Sequence, residues 1–179
     1  MWSPDAQMIA YQRAAPEKQV AQPRMDAIWV MKRDGTQPRR LTRNLRYYYG
    51  ETNTFGWSPD SEVIVFSGGS LCKNSYPLNS ATSQFPPEHR KLCLVDIDSG
   101  KIDTLVDDEM DNRHPLFSPD GSRLAYIRRN PYGPTGSLET VVVDLITHEA
   151  AVETSDAHFI AWSPDGTKLA ISGDGIRVI

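Results

Sequence analysis

Short apolar stretches follow one another along the chain, and turn residues bound each of them. "VIVF" begins at Val63, "LAYI" at Leu124 and "LAIS" at Leu169. Short runs of apolar and β-branched residues between turn residues are typical of strands and not of helices. The pattern therefore predicts an all-β protein.

A phrase made of an aromatic residue followed by Ser-Pro-Asp precedes these stretches and occurs four times. The aromatic residues are Trp2, Trp57, Phe117 and Trp162, at spacings of 55, 60 and 45 residues. Self-similarity near this period is typical of a propeller or a solenoid, because a four-stranded blade needs about 40 to 45 residues. We therefore expect the phrase to mark the same inner hairpin in every repeat.

The Ser-Pro-Asp-Gly core of the phrase predicts a tight turn. Proline presets φ, aspartate bonds nearby backbone amides, and glycine accepts a positive φ. Glycine is present as Gly121 and Gly166 in the last two repeats, but Ala6 and Ser61 take its place in the first two. Since a non-glycine residue at positive φ costs about 1 kcal/mol, we expect the first two turns to be looser or slightly different.

A third and a fourth strand follow each hairpin. Four antiparallel strands per repeat, with little helical pattern, predict the blade of a β-propeller. Both ends of the chain fall inside a repeat, which favours an incomplete fragment over the alternative of a closed four-bladed ring. The predicted third strands begin at Ala27, Leu92, Thr140 and Gly175, the fourth at Pro38, Lys101 and Glu149, and the repeats span about 1–52, 53–112, 113–157 and 158–179.

The phrases "WSPDG…LAIS" and "IWVMKRDGTQPRRLT" resemble the repeat of the TolB-type β-propellers, which also occurs in the N-terminal propellers of prolyl oligopeptidase relatives. The resemblance covers essentially the whole chain, but it is specific for the fold and weak for function. It implies a non-enzymatic platform that binds a protein or peptide in the periplasm. The alternatives are the substrate-gating propeller of a serine peptidase whose catalytic domain is outside this chain, a propeller with its own polysaccharide-degrading site, and a cytoplasmic location.

The composition limits the function classes. The net charge is −4 and the pI is about 5.5, which argues against a nucleic-acid partner. No apolar run approaches the roughly 18 residues of a membrane span. The four histidines have no zinc spacing, and the acidic run from Asp107 to Asp111 lacks the ligand spacing of a calcium loop. We therefore predict no catalytic residue, no metal site and no cofactor, and we expect the turn aspartates to cap their own turns.

The links between strands are the candidate binding region. The links from the second to the third strand, about 12–26, 71–90 and 128–138, are long, and so is the first link between repeats, 43–53. Long loops in a compact domain are often functional, and tyrosine and arginine are favoured at interfaces. Packing beneath the loops is the alternative for the tyrosines. The predicted partner-binding residues are Arg46, Tyr47, Tyr48, Tyr49, Tyr76, Phe85, Arg129 and Tyr132.

Two further expectations concern association and crosslinking. An incomplete blade array leaves an unpaired edge, and bare edges invite self-association. The sequence has two cysteines. Cys72 is predicted at the end of the second strand of the second repeat and Cys93 in its third strand, and these strands should be antiparallel neighbours. A disulfide between the two cysteines would indicate an oxidising compartment, and two reduced thiols are the alternative.

Overall fold

The computed structural model describes residues 1–14, 25–42, 45–46, 55–68, 90–130, 138–155 and 158–179. Within these ranges the chain is all-β and forms four antiparallel sheets. Each sheet contains one Ser-Pro-Asp hairpin, so the sheets are the blades that the repeat predicts. The described part of the chain contains no helix of the length and apolarity that a membrane span requires.

We number the blades in chain order. Blade 1 has β1 (Met8–Ala14), β2 (Met25–Lys32), β3 (Arg39–Arg40) and β4 (Leu45–Arg46). Blade 2 has β5 (Phe55–Trp57), β6 (Val63–Gly68), β7 (Lys91–Asp96) and β8 (Ile102–Val106). Blade 3 has β9 (Asp111–Phe117), β10 (Arg123–Arg129), β11 (Leu138–Asp144) and β12 (Ala150–Ser155), and blade 4 has β13 (Phe159–Trp162), β14 (Leu169–Ser172) and β15 (Ile176–Val178).

Neighbouring strands within a blade pair in chain order, as in β5-β6-β7-β8 and β9-β10-β11-β12. Blade 1 departs from this simple order. Its long strand β2 pairs with β3 at Trp29 and Val30, and with β4 at Met25 and Asp26. From the sequence, β4 was predicted to be part of the 43–53 link, because a strand of two residues has no detectable period.

The first two Ser-Pro-Asp turns have the same conformation as the last two, so the expectation of looser turns was wrong. Ala6 and Ser61 adopt φ values of 56° and 66°, close to the 74° of Gly121 and the 70° of Gly166. In all four turns, the backbone N–H of this residue donates to the serine carbonyl three positions earlier, at 2.9–3.0 Å. The surrounding hydrogen bonds are sufficient to hold a non-glycine residue at positive φ.

The hydrophobic core lies between the blades. We call the side of a blade that faces the following blade its leading face, and the opposite side its trailing face. Ala10 on the leading face of blade 1 shares a buried cluster with Ile64 and Phe66 on the trailing face of blade 2. Val65 meets Leu124 and Tyr126 between blades 2 and 3 in the same manner.

The same arrangement recurs between blades 3 and 4, where Ala125 clusters with Leu169 and Ile171. These nine residues lie on the second strands of the blades, where side chains point alternately to the two faces, as in any strand. Among these second-strand residues, the smaller one of each interface lies on the leading face and the two larger ones lie on the trailing face. This complementarity explains why the strands are apolar on both sides.

Candidate partner-binding face

The two ends of the blades differ in chemistry. The Ser-Pro-Asp turns lie at one end, which we call the turn face. At the other end β1, β6 and β10 finish and β2, β7 and β11 begin, and this end is the loop face. The predicted links from second to third strand all start and finish there.

Each turn on the turn face satisfies its own polar groups. In blade 3 the Ser118 hydroxyl donates to an Asp120 carboxylate oxygen at 2.6 Å and accepts from the Arg123 N–H at 2.9 Å. The Ser122 N–H donates to the same carboxylate at 3.1 Å. Serine, aspartate and backbone make the matching bonds in the other three turns. The aspartates therefore cap their turns, as the sequence predicts.

These bonds stabilise the ionised aspartates. The hydroxyls of Ser118 and Ser122 lower the pKa of Asp120 to about 2. The hydroxyl of Ser163 has the largest part in lowering the pKa of Asp165, also to about 2. The turn aspartates of the first two blades have lowered pKa values for the same reason. A carboxylate held in this way is committed to its turn and is a poor general acid or base near neutral pH.

Consecutive turns also contact one another. The Asp5 N–H donates to the Ser61 hydroxyl of the next turn at 3.1 Å. A Cβ on Gly121 would lie 3.6 Å from the Pro59 ring, and one on Gly166 would lie 3.3 Å from the Pro119 ring. The turn face is therefore a row of self-satisfied turns packed against each other.

The loop face contains the two predicted partner-binding residues that the structure describes. Arg129 is exposed at the end of β10, where it pairs with Leu138. Arg46 lies in the short strand β4, where it pairs with Met25 at the start of β2. The other predicted residues, Tyr47, Tyr48, Tyr49, Tyr76, Phe85 and Tyr132, lie outside the described residues.

A buried charged cluster lies directly inside the loop face, between blades 2 and 3. The Arg90 side chain is 2% exposed and its Nε lies 3.4 Å from an Asp111 carboxylate oxygen. Arg113 donates from its Nε to the other oxygen of Asp111 at 2.8 Å. Two guanidinium groups thus hold one buried carboxylate. Charges are rarely buried unless they are paired, because desolvation costs several kcal/mol per ion.

Asn112 connects this cluster to the backbone of the neighbouring blade. Its main-chain N–H and its side-chain amide both donate to the Arg90 carbonyl, at 3.1 and 2.9 Å. The amide also donates to an Asp108 carboxylate oxygen at 2.7 Å. The loop-face ends of β7 and β9 are consequently fixed to each other by polar bonds, in addition to the apolar core.

This cluster is not predicted by the sequence pattern. Arg90 and Asp111 are 21 positions apart, and only the pairing of blades brings them together. Asp111 is the last residue of the acidic run that begins at Asp107, yet it is only 4% exposed. The predicted repeat bounds also placed Asp111 at the end of the second repeat, whereas it begins the first strand of blade 3.

Other features of the loop-face end are conventional. Arg128 forms an ion pair with Glu139 at 2.8 Å across β10 and β11. Burial raises the pKa of Tyr126 to about 12, so its hydroxyl stays protonated. No three His, Cys, Asp or Glu side chains are placed to hold a metal ion in the part of the chain that the structure describes.

Cys93 is fully buried in β7 and pairs with Phe66 of β6. Cys72 lies outside the described residues. The crosslink between the two cysteines therefore stays a prediction.

Comparison with known proteins supports the fold. No protein-family model matches the chain. Dipeptidyl-peptidase 5 of Porphyromonas gingivalis is 26% identical over 117 residues, which make up 62% of this chain and 16% of that protein. A TolB structure from Agrobacterium tumefaciens superposes with a TM-score of 0.68 at 23% identity, and covers 99% of this chain. TolB from Acinetobacter baumannii gives 0.65 at 17% identity, again over 99% of this chain.

The chain spans only part of these proteins, 58% and 41% of the two TolB chains. Enzymes also have this architecture. An oligogalacturonate lyase from Vibrio parahaemolyticus superposes with a TM-score of 0.63 at 13% identity, over 97% of this chain and 44% of the enzyme. At such identities the structural likeness establishes the fold and leaves the activity open. The prediction from the repeat is confirmed at that level: the chain has the fold of a TolB-like β-propeller.

Proposed function

We propose that the chain is part of a non-enzymatic propeller platform that binds a protein or peptide partner on its loop face. The difference between the two faces carries the proposal. On the turn face, the serine and aspartate side chains of all four turns are engaged within their own turns. On the loop face, charged side chains such as Arg129 are exposed at the strand ends.

The buried charged cluster supports this role. It fixes the loop-face ends of β7 and β9 to each other through Arg90, Asp111 and Asn112. Loops on a rigid scaffold lose less conformational entropy when they bind than loops on a mobile one. The cluster therefore gives a firm base to the strand end at which the predicted 71–90 link finishes.

The remaining parts of the proposal follow the TolB resemblance. The partner-binding residues are Arg46, Tyr47–Tyr49, Tyr76, Phe85, Arg129 and Tyr132, and no cofactor takes part. We place the protein in the periplasm. We also propose that the chain is one partial propeller, with repeats at about 1–52, 53–112, 113–157 and 158–179.

Site-specific photocrosslinking in the native host tests this proposal. A benzophenone amino acid replaces Arg129 on the loop face in one strain and Asp34, an exposed residue at the turn-face end of β2, in another. The proposal predicts one discrete crosslinked protein or peptide from position 129 and none of that size from position 34. Equal capture at both positions, or capture from position 34 alone, contradicts it.

A substrate-gating role in a serine peptidase is the second candidate. The similarity to dipeptidyl-peptidase 5 of Porphyromonas gingivalis favours it. The sequence of the parent gene distinguishes the two functions. A downstream Gly-x-Ser-x-Gly segment with a strand-turn-helix pattern would favour the peptidase. Further repeats and an upstream signal peptide would favour the platform.

A further inference from the structure

The outermost strand of blade 3, β12, has an outer edge with which no described strand pairs. In blades 2 and 3, the described large apolar side chains that are exposed are Ile146, at 78% in the turn before β12, and Val152, at 53% within it. Val152 pairs with Val141, whose side chain packs toward blade 2. Since directly paired residues share one side of a sheet, Val152 lies on the trailing face, opposite the four-stranded blade 2, and its exposure is independent of how the chain ends.

The backbone of β12 points hydrogen-bonding groups outward at Ala150 and Val152. The Asp144 N–H donates to the Glu149 carbonyl at 2.9 Å across the ladder of β11 and β12. Hydrogen-bonded and non-hydrogen-bonded pairs alternate along an antiparallel ladder, so Ala151 bonds inward to β11 and its two neighbours do not. The N–H and C=O groups of Ala150 and Val152 therefore point away from β11, where an added strand would bond to them.

The equivalent edge of blade 2 carries charges that the edge of β12 lacks. Lys101 and Asp103 form an ion pair at 2.9 Å along the start of β8, and charged side chains on an edge discourage pairing with another strand. The position of Asp103 is taken by Ala151 in β12. The outer strand β3 of blade 1 consists of two arginines. Of the three edges, that of β12 is thus the one best suited to accept a strand.

We propose that the outer edge of β12 binds an extended peptide that has apolar residues at alternate positions and a basic residue at each end. The peptide adds a fifth strand to blade 3 through main-chain bonds to Ala150 and Val152. Glu149 and Glu153 are exposed at the two ends of this stretch, about 13 Å apart along the strand, and they attract the basic residues. This site lies on the outer rim of the blade and does not depend on the loop-face proposal.

Fluorescence anisotropy with labelled peptides and the full chain tests the proposal. The probe is Ser-Lys-Val-Thr-Val-Lys-Ser with blocked ends, whose valines can face Ala150 and Val152 while its lysines face Glu149 and Glu153. A matched probe has glutamate in place of both lysines. We expect saturable binding of the lysine peptide below about 1 mM. The glutamate peptide should bind at least roughly fivefold more weakly, because two exposed charge pairs become repulsive.

Val152→Pro tests the main-chain bonds. The Val152 N–H points away from β11, so proline removes the outward donor, blocks the added strand with its ring and keeps the ladder bonds. Affinity for the lysine peptide should fall at least roughly tenfold. Thr104→Pro is the matched control, because Thr104 occupies the same place in β8. Arg129→Ala on the loop face is the second control, and both controls should leave the affinity unchanged.

A charge exchange keeps the test decisive if Val152→Pro destabilises the blade. The double variant Glu149→Lys, Glu153→Lys should bind the glutamate peptide more tightly than the lysine peptide. No saturable binding of the lysine peptide to the wild type, equal affinity of the wild type for both peptides, or weaker binding by either control overturns the proposal. A wild-type dimer that Val152→Pro disrupts and the lysine peptide does not would assign the edge to a second copy, and it overturns the proposal as well.

Discussion

Removing the same three carbons from equivalent positions of blades 1 and 3 should have very different effects on stability. Leu124 is fully buried between blades 2 and 3 with Val65, Tyr126 and Val141. Ile9 occupies the same place in blade 1, but there it is half-buried on the open trailing face. Leu124→Ala leaves a closed cavity, whereas Ile9→Ala leaves a notch that water can fill.

The magnitudes follow from burial. A buried Leu→Ala change costs about 2–5 kcal/mol, because lost transfer free energy and an unfilled cavity both contribute. Ile9→Ala forms no closed cavity and loses part of the transfer free energy, so we expect about 1 kcal/mol. The expected difference between the two variants is thus about 1–4 kcal/mol.

Urea denaturation followed by tryptophan fluorescence measures both changes. The two variants should share the wild-type slope against urea, so that the midpoints report stability. The measurement is made at low protein concentration, because the predicted self-association through a blade edge would cover Ile9. If Ile9→Ala then destabilises as much as Leu124→Ala, the trailing face of blade 1 is covered within the chain, and the stacking order described above is wrong.

Three further predictions concern the turns and the cysteines. Ser118→Ala should cost about 1–3 kcal/mol in urea denaturation, because it leaves a buried N–H without its acceptor, and the half-exposed Ser163→Ala should cost about 0.5–1.5 kcal/mol. The Asp120 pKa lies at about 2 instead of 3.8, so its stabilising effect is complete above pH 4 and is lost as the pH falls through 2. Between pH 4 and 2, the urea midpoint of Asp120→Asn should therefore fall less steeply with pH than that of the wild type. An equally steep fall in the variant would count against the turn bonds. A disulfide between Cys72 and Cys93 would close the 20 intervening residues and stabilise by about 3 kcal/mol, whereas free alkylation of both thiols in exported protein would exclude it.

The repeat allowed most of the fold to be predicted from the sequence. The aromatic-Ser-Pro-Asp phrase has a mechanism at each position, so its four copies located four hairpins and their neighbouring strands. The prediction for the turns at Ala6 and Ser61 was wrong because residue preference was weighed without the surrounding bonds. Ser61, for example, accepts the Asp5 N–H from the neighbouring turn.

The candidate site was less predictable than the fold. Exposed tyrosines and arginines on long links can be proposed from composition and position, but a buried ion pair such as Arg90–Asp111 depends on how two blades meet. No local pattern distinguishes Asp111 from the solvated acidic residues just before it.

Amide hydrogen exchange tests the loop-face assignment most directly, when the free chain is compared with the chain bound to the partner that photocrosslinking identifies. We expect partner binding to slow exchange at the loop-face ends of β2, β10 and β11. Exchange at the turn amides of Gln7, Glu62, Ser122 and Thr167, which donate to the turn aspartates, should be unchanged. Slower exchange at those turn amides, with none at the loop-face strand ends, would contradict the account.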